Sequence, residues 1–120
     1  MTVQDIINKS DELFPNVISF TTKALWLKEL DGRIYSEFLS RYPEGTSPQG
    51  EYTPLTELLV PDEFHEIYIR YLTMQQDILN GDMVRYQNSA SLFNSSYLAF
   101  MNYYNRNHLI SGSSINFEQE

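Results

Sequence analysis

No cysteine occurs in the chain, so neither a disulfide framework nor thiol chemistry is available to it. Cations are scarce: eight Lys and Arg stand against sixteen Asp and Glu, for a net charge of -8, and all but two of the acidic residues fall in the first 82 positions. Such a surface repels phosphate backbones, so specific binding of DNA or RNA is not expected. Long apolar runs are missing as well. The longest inside a helical pattern is Ala24 to Leu27, too short for a membrane span, and Asp5, Lys9, Asp11 and Glu12 interrupt the first turns where a signal peptide needs an apolar stretch. The expectation is a soluble protein made in a cytoplasm. Its 120 residues suffice for one domain that folds without metal or disulfide.

Residues that carry chemistry are also few. Of two histidines, His65 is followed by Glu66, which begins a zinc-protease pattern. Position 69 holds Ile69 where the second histidine belongs, so the motif fails. Asp62, Glu63, His65 and Glu66 could cluster around a metal, but they also fit a charged first turn that complements the helix dipole. There is no glycine-rich phosphate loop, calcium loop or nucleophile elbow. The carboxylate pairs Asp11 with Glu12 and Glu29 with Asp31 occupy positions that do not face one another on a helix, and read as solvated charges. Trp26, Tyr35 and Tyr42 could line a pocket, although aromatics at helical spacing more often pack in a core or a subunit contact. The chain is expected to be non-enzymatic, with no catalytic residues, no cofactor and no metal.

What the sequence does contain is helical periodicity. Thr2 with Asp5 three residues on makes an N-cap, and Val3, Ile6, Ile7, Ser10 and Leu13 follow at helical spacing up to Pro15. A second helix should begin near Ser19 to Thr22, with Ala24, Leu27, Leu30, Ile34 and Phe38 on one face, and end by Pro43. Gly32 lies inside it, at a cost of ~1 kcal/mol relative to Ala, as if another element approached closely or the residue were simply tolerated. From 43 to 53 two prolines and two glycines predict an exposed loop. Thr53 before Pro54 suggests a single helical turn through Leu58. Pro61, Asp62 and Glu63 open a third helix with Phe64, Ile67, Tyr68, Tyr71, Gln75, Ile78 and Leu79 on its apolar face, and Gly81 supplies a left-handed cap.

Asp82 then caps the longest helix, expected to run to about His108. Met83, Tyr86, Ala90, Phe93, Tyr97, Phe100 and Tyr104 repeat at alternating gaps of three and four, the seam of a packed helix. The opposite face carries Val84, Asn88, Leu92, Ser95, Ala99, Asn102 and Tyr103, none of them charged. Either it is a bland Ser/Asn face in water, or it meets protein. The fold class expected is all-α: a four-helix bundle with a long last helix, occupying residues 1–108, followed by a flexible tail over 109–120. In that tail Ile115 and Phe117 alternate across Asn116, as side chains of an extended docking segment do, or are incidental to a frayed end.

Three segments together, WLKELDGRIYSEF (Trp26 to Phe38), TELLVPDEFHEIYIRYL (Thr56 to Leu72) and RYQNSASLFNSSYLAFMNYYNRNH (Arg85 to His108), make up nearly half the chain. In them Trp26, Leu30, Asp31, Gly32, Arg33, Tyr35, Pro61, Tyr86, Asn88, Phe93, Asn94, Tyr97 and Asn105 carry a resemblance to the small head-to-tail connector, or adaptor, proteins of tailed phages and prophages of Gram-positive bacteria. The resemblance implies a helical virion protein of the neck region, assembled in the bacterial cytoplasm. Such a subunit forms a ring with copies of itself beneath the portal protein, extends the DNA channel without binding DNA specifically, and meets a tail-completion or stopper protein. Segment 42–53 matches no part of that pattern. In these terms Val84, Asn88, Leu92, Ser95, Ala99 and Tyr103 are the expected subunit interface, and Ile115 and Phe117 the expected portal contact. The competing expectation is a small acidic cytoplasmic interaction module or regulator, such as a DNA mimic, monomeric or dimeric.

Overall fold

The computed structural model of the chain describes residues 1–42, 47, 48 and 50–107, and among these the fold is all-α, with four α-helices and two single 3-10 turns. Helix α1 spans Val3–Leu13, α2 Phe20–Glu37, α3 Glu66–Leu79 and α4 Met83–Asn107. The expected flexibility of the tail, with Ile115 and Phe117, and part of the expected loop at 43–53, lie outside the described residues.

The helix ends follow local chemistry. Thr2 Oγ1 accepts the N–H of Asp5 while the Asp5 carboxylate accepts that of Thr2, a reciprocal capping box on α1. Ser19 Oγ accepts the N–H of Thr22 at the start of α2. Between α3 and α4 Gly81 takes φ +70°, which lets Asp82 turn and accept the Arg85 N–H on its side chain at 3.1 Å.

Helix α3 is the hub and packs against α1, α2 and α4. Accordingly its buried residues, Ile67, Tyr68, Ile69, Tyr71, Leu72, Met74, Gln76 and Asp77, spread around most of its circumference. One stripe is therefore too narrow a description. Ile78 and Leu79, expected in that stripe, are exposed, and so is Met83 at the first turn of α4. Gln75 is half-buried.

The α2 seam is buried as its spacing predicts: Ala24, Leu27, Leu30, Ile34 and Phe38. On α4, Phe93, Tyr97, Phe100 and Tyr104 are buried, and Tyr86 and Ala90 lean on the core. At this end Phe38 meets Tyr42, Phe100 and Tyr104 edge-on, with centroids 5.3, 5.7 and 5.3 Å away. The Tyr42 hydroxyl also bonds Asn105. Each such pair adds ~0.5–1.5 kcal/mol beyond the area it buries. Arg33 lies over the rings of Phe93 and Tyr97, joining α2 to α4 with a cation above aromatic faces.

One sequence expectation is corrected here, and one alternative left open is decided. Residues Thr53 to Leu58 form no helical turn: Pro54 and Leu55 occupy a tight turn, and Thr2 and Glu57 make an isolated antiparallel bridge. The reason is α1, whose Val3 and Gln4 N–H groups, left without partners in their own helix, donate to Thr56 O and Pro54 O at 2.9 and 3.1 Å. Nor does anything approach Gly32; a methyl there would have open space for 4 Å.

Candidate protein interface

Helix α4 is about 37 Å long at 1.5 Å per residue. Between Arg85 and Arg106 it has no charged side chain. The face turned from the core exposes Asn88, Leu92, Ser95 and Ala99, and Val84 precedes them at the first turn. Val84 is 79% and Leu92 42% exposed. Five of the six residues expected to meet a neighbour thus share an outer face. The sixth, Tyr103, is half-buried, its ring 4.9 Å from that of Phe64 in the same chain.

Towards its N-terminal half this face opens into a groove of about 500 Å³ at the junction of α1, α3 and α4. Leu13 and Phe14 from the end of α1, Ile69 from α3, and Val84 and Leu92 from α4 give it an apolar lining. Arg70 and Arg85 also line it, accompanied by the carboxylates of Glu66, 3.4 Å from Arg70, and Asp77, 3.6 Å from Arg85. Asp77 is buried and accepts the Ser89 hydroxyl at 2.8 Å, which fixes α3 against α4 beneath the groove.

A buried polar centre lies elsewhere, between α2, α3 and segment 50–60. Asp31 is fully buried, and its carboxylate accepts the hydroxyls of Tyr52 at 2.6 Å and Tyr68 at 2.7 Å and the N–H of Leu59 at 3.3 Å. Asp31 is therefore not the solvated charge its sequence neighbourhood suggested. Burial raises its pKa, and the hydrogen bonds from Tyr52, Tyr68 and Leu59 oppose that rise without cancelling it. The same burial, with the Asp31 charge beside them, pushes both tyrosine hydroxyls above the usual phenol range. All three partners are neutral donors, and Asp31 lines none of the three pockets found among the described residues. The arrangement suits a clamp that holds a loop better than an acid or base. Asp11 keeps a partly exposed carboxylate but is also paired: it lies 2.7 Å from the buried Lys23 amine and ties the end of α1 to the start of α2.

The Asp62–Glu66 cluster separates. Asp62 lies 2.6 Å from the Met1 amine, and His65 Nδ1 lies 2.8 Å from the backbone oxygen of Asp62. Among the described residues no three His, Asp or Glu side chains are grouped to hold a metal ion, and no described helix is long and apolar enough to cross a membrane. Trp26 and Tyr35 are half-buried against the core, and Tyr42 is inside it, so the three share no pocket among those described.

The groove escaped sequence reading because Leu13 and Phe14 looked like the end of one helix and Ile69 like a position off another's stripe. Only the packing of three helices brings them together. Asp31 did leave a signal: with Leu27 four residues before it and Ile34 three after, it sits on the buried seam of α2. No family model matches the chain, and neither the curated proteins nor the solved structures include a significant match.

Proposed function

We propose that this chain is a non-enzymatic structural subunit of a phage or prophage particle, a head-to-tail connector that forms a ring under the portal and extends the DNA channel. The observation that carries this reading is the outer face of α4, uncharged along its whole middle and continuous with an apolar groove. Isolated surface helices hold themselves in water with Lys and Glu; an uncharged face of this length with exposed Leu92, Leu98 and Val84 is suited to lie against protein. The acidic balance is compatible with a channel wall, because a wall that binds DNA would retard its passage. The resemblance of segments 26–38, 56–72 and 85–108 supplies the identity of the assembly.

On this reading the partners are further copies of the chain, the portal protein and a stopper or tail-completion protein, and the location is the virion neck. Ile115 and Phe117 are assigned to the portal. Electron microscopy of the purified chain tests the ring: closed annuli with a central channel are expected. Truncation after His108 tests the portal contact. The shortened subunit should fold but no longer join portals, whereas tailed, infectious particles at normal yield would remove that assignment.

A further inference from the structure

A closed ring needs two different faces on each subunit, one that receives and one that inserts. The groove is a receiving face, and it lies at the C-terminal end of α1, where Leu13 and Phe14 form part of its wall. At the other end of α1, about 16 Å away for 11 residues at 1.5 Å each, stands the turn at Thr53 to Thr56. Its Leu55 is 83% exposed, a large apolar side chain carried outwards at the tip of a turn.

This turn is held in shape before any partner arrives. The Thr56 N–H donates to Thr53 O at 3.1 Å, the Thr53 N–H donates to Thr56 Oγ1 at 2.9 Å, and the carbonyls of Pro54 and Thr56 cap α1. An apolar residue on a pre-ordered support loses little freedom on docking, the circumstance in which a small contact contributes most to affinity. The charges also correspond. Glu51 and Glu57 flank the turn and are exposed, Glu57 with the Met1 amine 3.5 Å away, while the groove presents Arg70 and Arg85. Each guanidinium has five N–H donors, and the single carboxylate beside each, Glu66 or Asp77, does not exhaust them.

We propose that the Thr53–Thr56 turn of one copy inserts Leu55 into the α1–α3–α4 groove of the next, with Glu51 and Glu57 facing Arg70 and Arg85. The pairing rests on the ring reading and names the surface that the back of α4 meets. Because the inserting turn and the receiving groove lie at opposite ends of one helix, a copy that has filled its neighbour's groove still offers its own. The contact is therefore of the head-to-tail kind that a ring requires.

The absence of cysteine makes the test direct. Leu55→Cys and Leu92→Cys variants, each checked for helical content by circular dichroism, are mixed in equal amounts and oxidised. Val84→Cys, at a more exposed edge of the groove, serves as a second receiving position. The expected result is a mixed disulfide between the turn variant and either groove variant, in clear excess over the share that random pairing gives, and abolished by Arg70→Glu with Arg85→Glu. Random proportions, or disulfides only between like variants, overturn the pairing. Native mass spectrometry of the wild-type chain separates the two levels. Rings without the mixed disulfide leave the ring standing and remove the turn; a wild-type chain that stays monomeric without the mixed disulfide removes both.

Discussion

Tyr68 stands between Asp31 and the backbone of Val60: its hydroxyl donates to the Asp31 carboxylate at 2.7 Å while accepting the Val60 N–H at 2.8 Å. With its oxygen engaged by an amide, the phenol directs its proton to Asp31, which thereby serves as acceptor for Tyr68, Tyr52 and Leu59 at once. Segment 50–60 is thus pinned to α2 and α3, and the turn bearing Leu55 is fixed within it.

Replacing Asp31 by Ala leaves the hydroxyl protons of Tyr52 and Tyr68 and the Leu59 N–H without their acceptor, and should cost about 3 kcal/mol, less whatever is regained by no longer burying a charge. Tyr52→Phe removes one charge-assisted bond and should cost about 1–2 kcal/mol. Urea unfolding followed by circular dichroism measures both. An Asp31→Ala chain as stable as wild type would mean that the clamp contributes nothing.

Two glycines should respond with opposite signs. Gly32 has a negative φ, lies inside α2 and has open space where a methyl would stand; Gly32→Ala should stabilise by about 0.5–1 kcal/mol through helix propensity. Gly81, at φ +70°, should lose about 1 kcal/mol on the same change, because a Cβ is strained there. Thermal melts of the two variants should move in opposite directions.

Tyr97 donates to Glu37 at 2.9 Å, and burial first, then that bond and the Glu37 charge, push its hydroxyl up to about 12. In the unfolded chain it titrates near the ordinary 10. The raised value means that the folded state keeps this proton longer. The associated stability is complete below pH 10 and is lost as pH rises from 10 through about 12. Tyrosinate absorbance on an alkaline titration should show a late component, shared with Tyr52 and Tyr68, that Tyr97→Phe reduces by one hydroxyl. Simultaneous ionisation of all nine tyrosines near pH 10 in a still-folded chain would contradict the packing of α4 on α2.

Local signals were legible wherever a single helix decides the outcome. The Thr2 and Asp5 box, the Ser19 start, Gly81 with Asp82, and the α2 and α4 seams all follow from spacing and capping alone. What spacing cannot show is how many neighbours a helix has. Since α3 is enclosed by three helices, Ile69 and Asp77 lie inside although they are off its expected stripe, and Ile78 and Leu79 lie outside although they are on it. Thr53 to Leu58 failed for a related reason: its local preference for a helical turn yields to the unpaired N–H groups of α1. The outer face of α4 was readable as uncharged, but its continuation into a groove required Leu13 and Phe14, some seventy positions earlier in the chain.

The central claim is that the back of α4 is a subunit interface, and native mass spectrometry of purified wild-type, Leu92→Glu and Ala99→Glu chains tests it most directly. On an exposed face each substitution should change folding stability by only a few tenths of a kcal/mol, while a charge placed in a dry contact abolishes association. The account predicts a closed wild-type oligomer and folded, monomeric variants. A monomeric wild-type chain, or variants that assemble as it does, would contradict the account.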